Sequence, residues 1–220
     1  MLNEATAPPA PAAAREVFGD ALGRTEEYAR ILVGAAVERG LLGPREVDRI
    51  WDRHLINCAV VAEVIPERAR VVDIGSGAGL PGIVLGIVRP DIRMTLLEPL
   101  LRRTTFLNEA VATLGLDHVE VVRGRAEEYA GKLSADVVTA RAVAPLERLA
   151  TWALPLLRPG GALLALKGDR AAVELEAASA MLQSRAVRDA RVVQVGQSRV
   201  NPATTIVRVI AGSRRRSRKR

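Results

Sequence analysis

The spacing of apolar and polar residues changes once along the chain, near residue 70. Before that point apolar residues recur three and four apart. Ile31, Leu32, Ala35 and Ala36 sit among charged residues, and Ile50, Leu55, Cys58, Val61 and Ala62 resume the spacing after a break at Leu41-Leu42-Gly43-Pro44. Residues so spaced share one stripe of a helix, which predicts helices over 15–39 and 48–63, the second stopped before Pro66. From Arg70 onwards, short β-branched runs alternate with longer helical stretches. Strands are predicted at 70–74, 93–97, 119–123, 135–140 and 161–167, helices at 79–88, 100–114, 145–157 and 169–183, and two consecutive strands at 187–195 and 204–210. This order specifies an α/β fold, a mostly parallel seven-stranded sheet covered by helices and closed by a C-terminal antiparallel hairpin. Four segments result: a disordered Ala/Pro tail over 1–14, a helical extension over 15–66, the α/β domain over 67–211 and a basic disordered tail over 212–220.

Composition narrows the picture. A length of 220 residues with 49% apolar content suits one domain with a buried core, not wholesale disorder. The longer apolar runs, 55–62 and 80–88, fall well short of the roughly 18 residues a membrane span needs, and residues 1–11 lack the basic-then-apolar order of a secretory leader. A cytoplasmic protein is expected. Its single cysteine, Cys58, permits no intrachain disulfide, and with only His54 and His118 beside it no Cys/His metal cluster is expected. Six of the seven net positive charges lie in Arg214, Arg215, Arg216, Arg218, Lys219 and Arg220, so the body is nearly neutral and the basicity lies in a tail that either attracts a polyanion or serves as a solvated end that keeps the protein soluble.

Ligands of open parallel sheets bind beyond the carboxyl ends of the strands. Five successive strand ends carry a charge there: Asp73, Glu98, Arg125, Arg141 and Lys167. The strongest local signal is the run Val71-Val72-Asp73-Ile74-Gly75-Ser76-Gly77-Ala78-Gly79-Leu80-Pro81-Gly82. Its glycines permit a turn with positive φ and close approach of a ligand, with Gly79 expected to open a helix. Gly77-x-Gly79-x-x-Gly82, with Glu98 21 residues after Gly77, formally satisfies a dinucleotide fingerprint. Asp73 weighs against that reading, because a carboxylate at this place opposes a pyrophosphate and suits an amino or sulfonium group.

Asp-x-Gly-x-Gly-x-Gly followed by an acid at the end of the second strand is similar to the S-adenosylmethionine site of Rossmann-like methyltransferases. Further motifs narrow the likeness: the run Gly75 to Gly82, Arg53-His54-Leu55, Val88-Arg89-Pro90, Gly124-Arg125-Ala126-Glu127-Glu128, Ala140-Arg141-Ala142 and Ala165-Leu166-Lys167-Gly168. Together they resemble the RsmG (GidB) family, from about Tyr28 to Ile210. The resemblance implies a Rossmann-like class I methyltransferase fold and S-adenosylmethionine-dependent methylation of N7 of a guanine in the decoding-centre loop of bacterial 16S rRNA, in the small ribosomal subunit, with no obligate protein partner. It implies cofactor contacts at Gly75, Leu80, Ala126, Glu127 and Arg141, to which the residues themselves add Asp73, Gly77, Gly79 and, for the ribose hydroxyls, Glu98. Arg102, Arg103, Arg125, Lys167 and Arg199 are the expected RNA contacts, with Arg141 and Lys167 positioning the acceptor. One departure stands out: where the family carries an arginine before the last strand, this chain reads Asn201-Pro202-Ala203-Thr204-Thr205. A small-molecule methyltransferase is the alternative, expected to enclose its acceptor under an apolar lid. His54 and Cys58 are expected to be structural, as are Trp152 and Phe106 on apolar helix faces.

Overall fold

The computed structural model describes residues 6–185 and 187–212. Its centre is a seven-stranded sheet in the order β3-β2-β1-β4-β5-β7-β6. The strands are β1 (Arg70–Ile74), β2 (Arg93–Glu98), β3 (Val119–Arg123), β4 (Ala135–Arg141), β5 (Leu157–Leu166), β6 (Asp189–Val195) and β7 (Thr204–Ile210). Strands β1 to β5 run parallel, and β7 enters antiparallel between β5 and β6, which forms the expected hairpin. Register determines which chemistry meets at the carboxyl edge. Asp73 lies opposite Leu96 on one side and Thr139 on the other. Arg141 lies opposite Leu166, so Lys167 emerges beside it.

Helices α4 (Gly82–Val88), α5 (Leu101–Thr113), α6 (Leu146–Ala153) and α7 (Ala171–Ser184) cover the sheet. In α6 the buried residues Leu146, Leu149, Ala150 and Ala153 fall at i, i+3, i+4 and i+7, one stripe facing the sheet. Two apolar layers result, one on each face. The first also contains α1 (Ala12–Phe18), α2 (Leu22–Ile31) and the run 50–64, in which a π turn (Ile50–Ile56) leads into the short α3 (Asn57–Ala59). Tyr28, Leu32, Ile50 and Leu55 are buried there with Ile83, Leu85 and Leu96. The N-terminal helices are therefore part of the core of the α/β unit.

Three expectations change. The Ala/Pro segment is ordered where it is described: α1 begins at Ala12, Ala14 is buried, and the Trp51 indole N–H donates to the Pro8 carbonyl at 2.7 Å. Without an apolar stripe of its own, the segment is held by the aromatic pair Phe18–Trp51, a contact that periodicity does not reveal. The helix expected from Gly79 starts at Gly82, because residues 79–81 close the glycine turn first. Trp152, expected in the core, is half-buried on the wall of a cleft. The basic tail lies outside the described residues beyond Gly212. Among the described residues no helix is long and apolar enough to cross a membrane.

Candidate active site

The glycine turn hangs from the end of β1. Asp73 is fully buried; its carboxylate accepts from the Thr139 hydroxyl at 2.7 Å and the Gly82 amide at 3.3 Å, while its carbonyl takes the Ser76 hydroxyl at 2.9 Å. One acidic residue thus ties β4, the turn and the start of α4 together. Gly75 adopts φ +66° directly beneath the Val143 side chain, and Gly79 adopts φ +92° against Ile83 and the Tyr28 hydroxyl. Tyr28, from α2, donates to the Ala78 carbonyl at 2.6 Å, and burial pushes its own hydroxyl pKa well up, so it remains a donor. Tyr28→Phe should cost about 1–2 kcal/mol of stability, because the carbonyl loses its partner in a dry place. An unchanged denaturation midpoint would remove that hydrogen bond from the account.

Two clefts open at the carboxyl edge. The smaller, about 320 Å³, is lined by Gly75, Glu98, Arg103, Ala126, Glu127 and Trp152, among others. Glu98 is buried, and its carboxylate accepts the Gly77 amide at 3.0 Å and the Leu100 amide at 3.1 Å, with the Arg103 guanidinium 3.6 Å away. A carboxylate has about four acceptor sites, so capacity remains for a diol. The Arg103 Nε is buried with no hydrogen-bond partner among the described residues. Trp152 forms an apolar wall, and the Arg148 guanidinium stacks on its ring with 4.9 Å to the centroid. An adenosine fits this set: flat apolar walls, an acid for ribose hydroxyls and an orphaned donor.

The larger cleft, about 1060 Å³, is ringed by Arg53, Arg141 and Lys167 together with Glu46, His54, Asn57, Gln194 and residues 201–205. Lys167 donates to the Ala144 carbonyl at 2.8 Å and pairs with Glu174 at 2.7 Å. Val143 lines both clefts, and Ala142 before it takes a left-handed φ of 56°, a conformation that costs a non-glycine residue energy and swings the chain sharply after Arg141.

The structure thus gathers Gly75, Glu98, Ala126 and Glu127 in the smaller cleft, and Arg103 and Arg125, two of the expected RNA contacts, line it as well. Arg141 and Lys167 line the larger cleft. Asp73, Gly77, Gly79 and Leu80 lie behind the turn they shape and line neither cleft. Arg102 is exposed on α5, and Arg199 is exposed and 3.7 Å from Glu63; both lie outside the clefts. Sequence reasoning missed Tyr28, Val143, Glu46 and the Arg148–Trp152 pair. The helical spacing of Arg148 and Trp152 by four was a readable signal for the last of these.

Two buried titrations oppose each other. Burial pushes the Asp73 carboxyl up to about 6, and burial with the nearby Arg141 pushes His54 down to about 4. Folded Asp73 holds its proton where the unfolded group has lost it, so its contribution falls as pH rises from about 4 to 6. The unfolded chain protonates His54 where the folded one does not, so that contribution is lost as pH falls from about 6.5 to 4. The two contributions run in opposite directions, so together they should flatten the dependence of melting temperature on pH between about pH 4.5 and 6. In Asp73→Asn the opposing contribution of Asp73 is gone, and melting temperature should drop on acidification through that window more than in the unaltered protein. A flat profile in the variant would refute the compensation.

The sheet order, with its reversed seventh strand, and the glycine turn held by the buried Glu98 define a Rossmann-like methyltransferase fold. An S-adenosylmethionine-dependent O-methyltransferase from Thermotoga maritima shares it, with a TM-score of 0.57 at 15% identity over 72% of this chain and 66% of that one. Residues 22–202 match the family described as rRNA small subunit methyltransferase G, GidB. Proteins named ribosomal RNA small subunit methyltransferase G are 62% identical in Thermobifida fusca, over 90% of this chain and 83% of that protein, and 59% identical in Streptomyces avermitilis, over 96% and 90%. The chain belongs to this methyltransferase family.

Proposed function

We propose that the protein transfers a methyl group from S-adenosylmethionine to N7 of a guanine in the decoding-centre loop of bacterial 16S rRNA, in the small subunit and in the cytoplasm. The observation that carries this reading is the pair of clefts meeting at Val143, one suited to adenosine and the other open, polar and ringed by Arg53, Arg141 and Lys167. S-adenosylmethionine, when bound, supplies an electrophilic sulfonium methyl. Glu98 would hold its ribose, Ala126, Glu127 and Trp152 would flank its adenine, and the Gly75 backbone would border it without a side chain in the way.

The acceptor chemistry asks little of the protein. N7 of guanine carries an in-plane lone pair and no proton at neutral pH, so displacement needs alignment more than a general base. The larger cleft agrees: both ring nitrogens of His54, its one histidine, are engaged, Nε2 by Glu46 and Nδ1 by Arg141. Arg141, which has no carboxylate partner among the described residues, would neutralise a phosphate around a splayed nucleotide, with the paired Arg53 and Lys167 beside it supplying hydrogen-bond donors, which makes the rate fall with salt. The testing experiment is transfer of labelled methyl to unmethylated small subunits, followed by borohydride and aniline cleavage at 7-methylguanosine. One cleavage in the decoding-centre loop, abolished by prior RNase treatment, is the expected result. Incorporation that survives RNase would favour a small-molecule acceptor.

A further inference from the structure

The N-terminal helices reach the larger cleft through Arg141. Arg141 sits at the end of β4, and its Nη1 reaches the Arg53 carbonyl at 3.4 Å and the Cys58 sulfur at 3.3 Å, while its Nη2 donates to His54 Nδ1. His54 is buried, and its Nε2 lies 2.7 Å from a Glu46 carboxylate oxygen on the cleft rim. The Glu46 acceptor places the ring proton on Nε2, which leaves the Nδ1 lone pair to accept from the guanidinium. Only a neutral imidazole satisfies both neighbours. A second ring proton would set N–H against N–H, and burial beside Arg141 keeps the ring neutral well below neutral pH.

We propose that His54 is a positioning residue for methyl transfer: it fixes the Arg141 guanidinium at the larger cleft while leaving its positive charge free for the substrate. Among the described residues Arg141 has no carboxylate ion-pair partner, although Lys167, Arg53 and Arg103 around the same clefts each have one. A carboxylate would hold the arginine as firmly and cancel its charge. A neutral imidazole holds it without doing so, and Glu46 in turn fixes the ring and its tautomer. The arginine's remaining donors, on Nε and the second Nη2 hydrogen, have no protein partner among the described residues and would be left for an anionic group of the substrate. This rests on the reading of the larger cleft as the acceptor site.

The test is a double-mutant cycle on methyl transfer to unmethylated small subunits, with kcat and KM separated and melting temperature and S-adenosylmethionine affinity measured for each protein. Arg141→Gln should cut kcat/KM about a hundredfold and His54→Leu about tenfold. The double variant should be no slower than Arg141→Gln, because a residue acting only through another has nothing left to lose. His54→Asn, whose amide oxygen falls near Nδ1, should restore most of the rate. His54→Gln, whose amide falls near Nε2, should not. Multiplying effects in the double variant, equal rescue by Asn and Gln, or rates that follow melting temperature alone would each overturn the proposal. Full turnover in Arg141→Gln would overturn it while leaving the methyltransferase reading intact, whereas no incorporation by the unaltered protein would sink that reading and this inference with it.

Discussion

Replacing Glu98 by alanine should weaken S-adenosylmethionine binding about a hundredfold, which corresponds to about 3 kcal/mol. Two effects add. The variant lacks the acceptor for the ribose hydroxyls, and hydrogen bonds to a charged group in a dry site are each worth about 1.5–3 kcal/mol. It also releases the glycine turn, because the same carboxylate holds the Gly77 amide at 3.0 Å and the Leu100 amide at 3.1 Å. Glu98→Gln should fare little better, since its NH₂ group would face one of those amides donor to donor. Titration calorimetry measures the affinity directly, and the shift of melting temperature with added S-adenosylmethionine measures it independently. Should Glu98→Ala lower the melting temperature of the free protein yet bind with unaltered affinity, the carboxylate serves the turn alone and the ribose contact is lost from the reading.

That double duty was only half visible in the sequence. Spacing from the glycine run pointed to an acid at the end of β2, and the alternation of short β-branched runs with helical stretches gave the sheet and its closing hairpin to within two residues at each strand end except the start of β5, which begins four residues early at Leu157. Both are local signals, since a strand buried on two faces writes its own pattern. The acid opposite a cationic or diol-bearing ligand was likewise legible at Asp73, but its environment was not: register alone brings the Thr139 hydroxyl beside it and turns an expected ligand contact into the anchor of the turn. The N-terminal helices were readable as helices and unreadable as part of the site. Tyr28 reaches a carbonyl 50 residues away and His54 an arginine 87 residues away, and no periodicity encodes such pairings. Trp152 misled for a related reason, because an apolar helix face that lines a cleft has the same pattern as one that meets the core.

Gly79→Ala should cost about 3–5 kcal/mol of stability, a large part of the roughly 5–15 kcal/mol a domain of this kind possesses. At φ +92° an added Cβ is strained whatever the space, which costs about 1–3 kcal/mol. Space is also missing: the Cβ would stand 2.5 Å from Ile83 Cδ1 and 2.6 Å from the Tyr28 hydroxyl, and overpacking of this kind adds about 1–3 kcal/mol. The two neighbours differ in what they can yield. Ile83, in the first turn of α4, is fully buried, whereas the tyrosine hydroxyl can be deleted. Gly79→Ala placed in a Tyr28→Phe background should therefore destabilise less than it does in the unaltered protein, even though Tyr28→Phe is itself destabilising. Urea midpoints for the four proteins give the coupling. Strict additivity would mean that the backbone, not the hydroxyl, resists the side chain, and would leave the hold of α2 on the glycine turn to the Ala78 carbonyl alone.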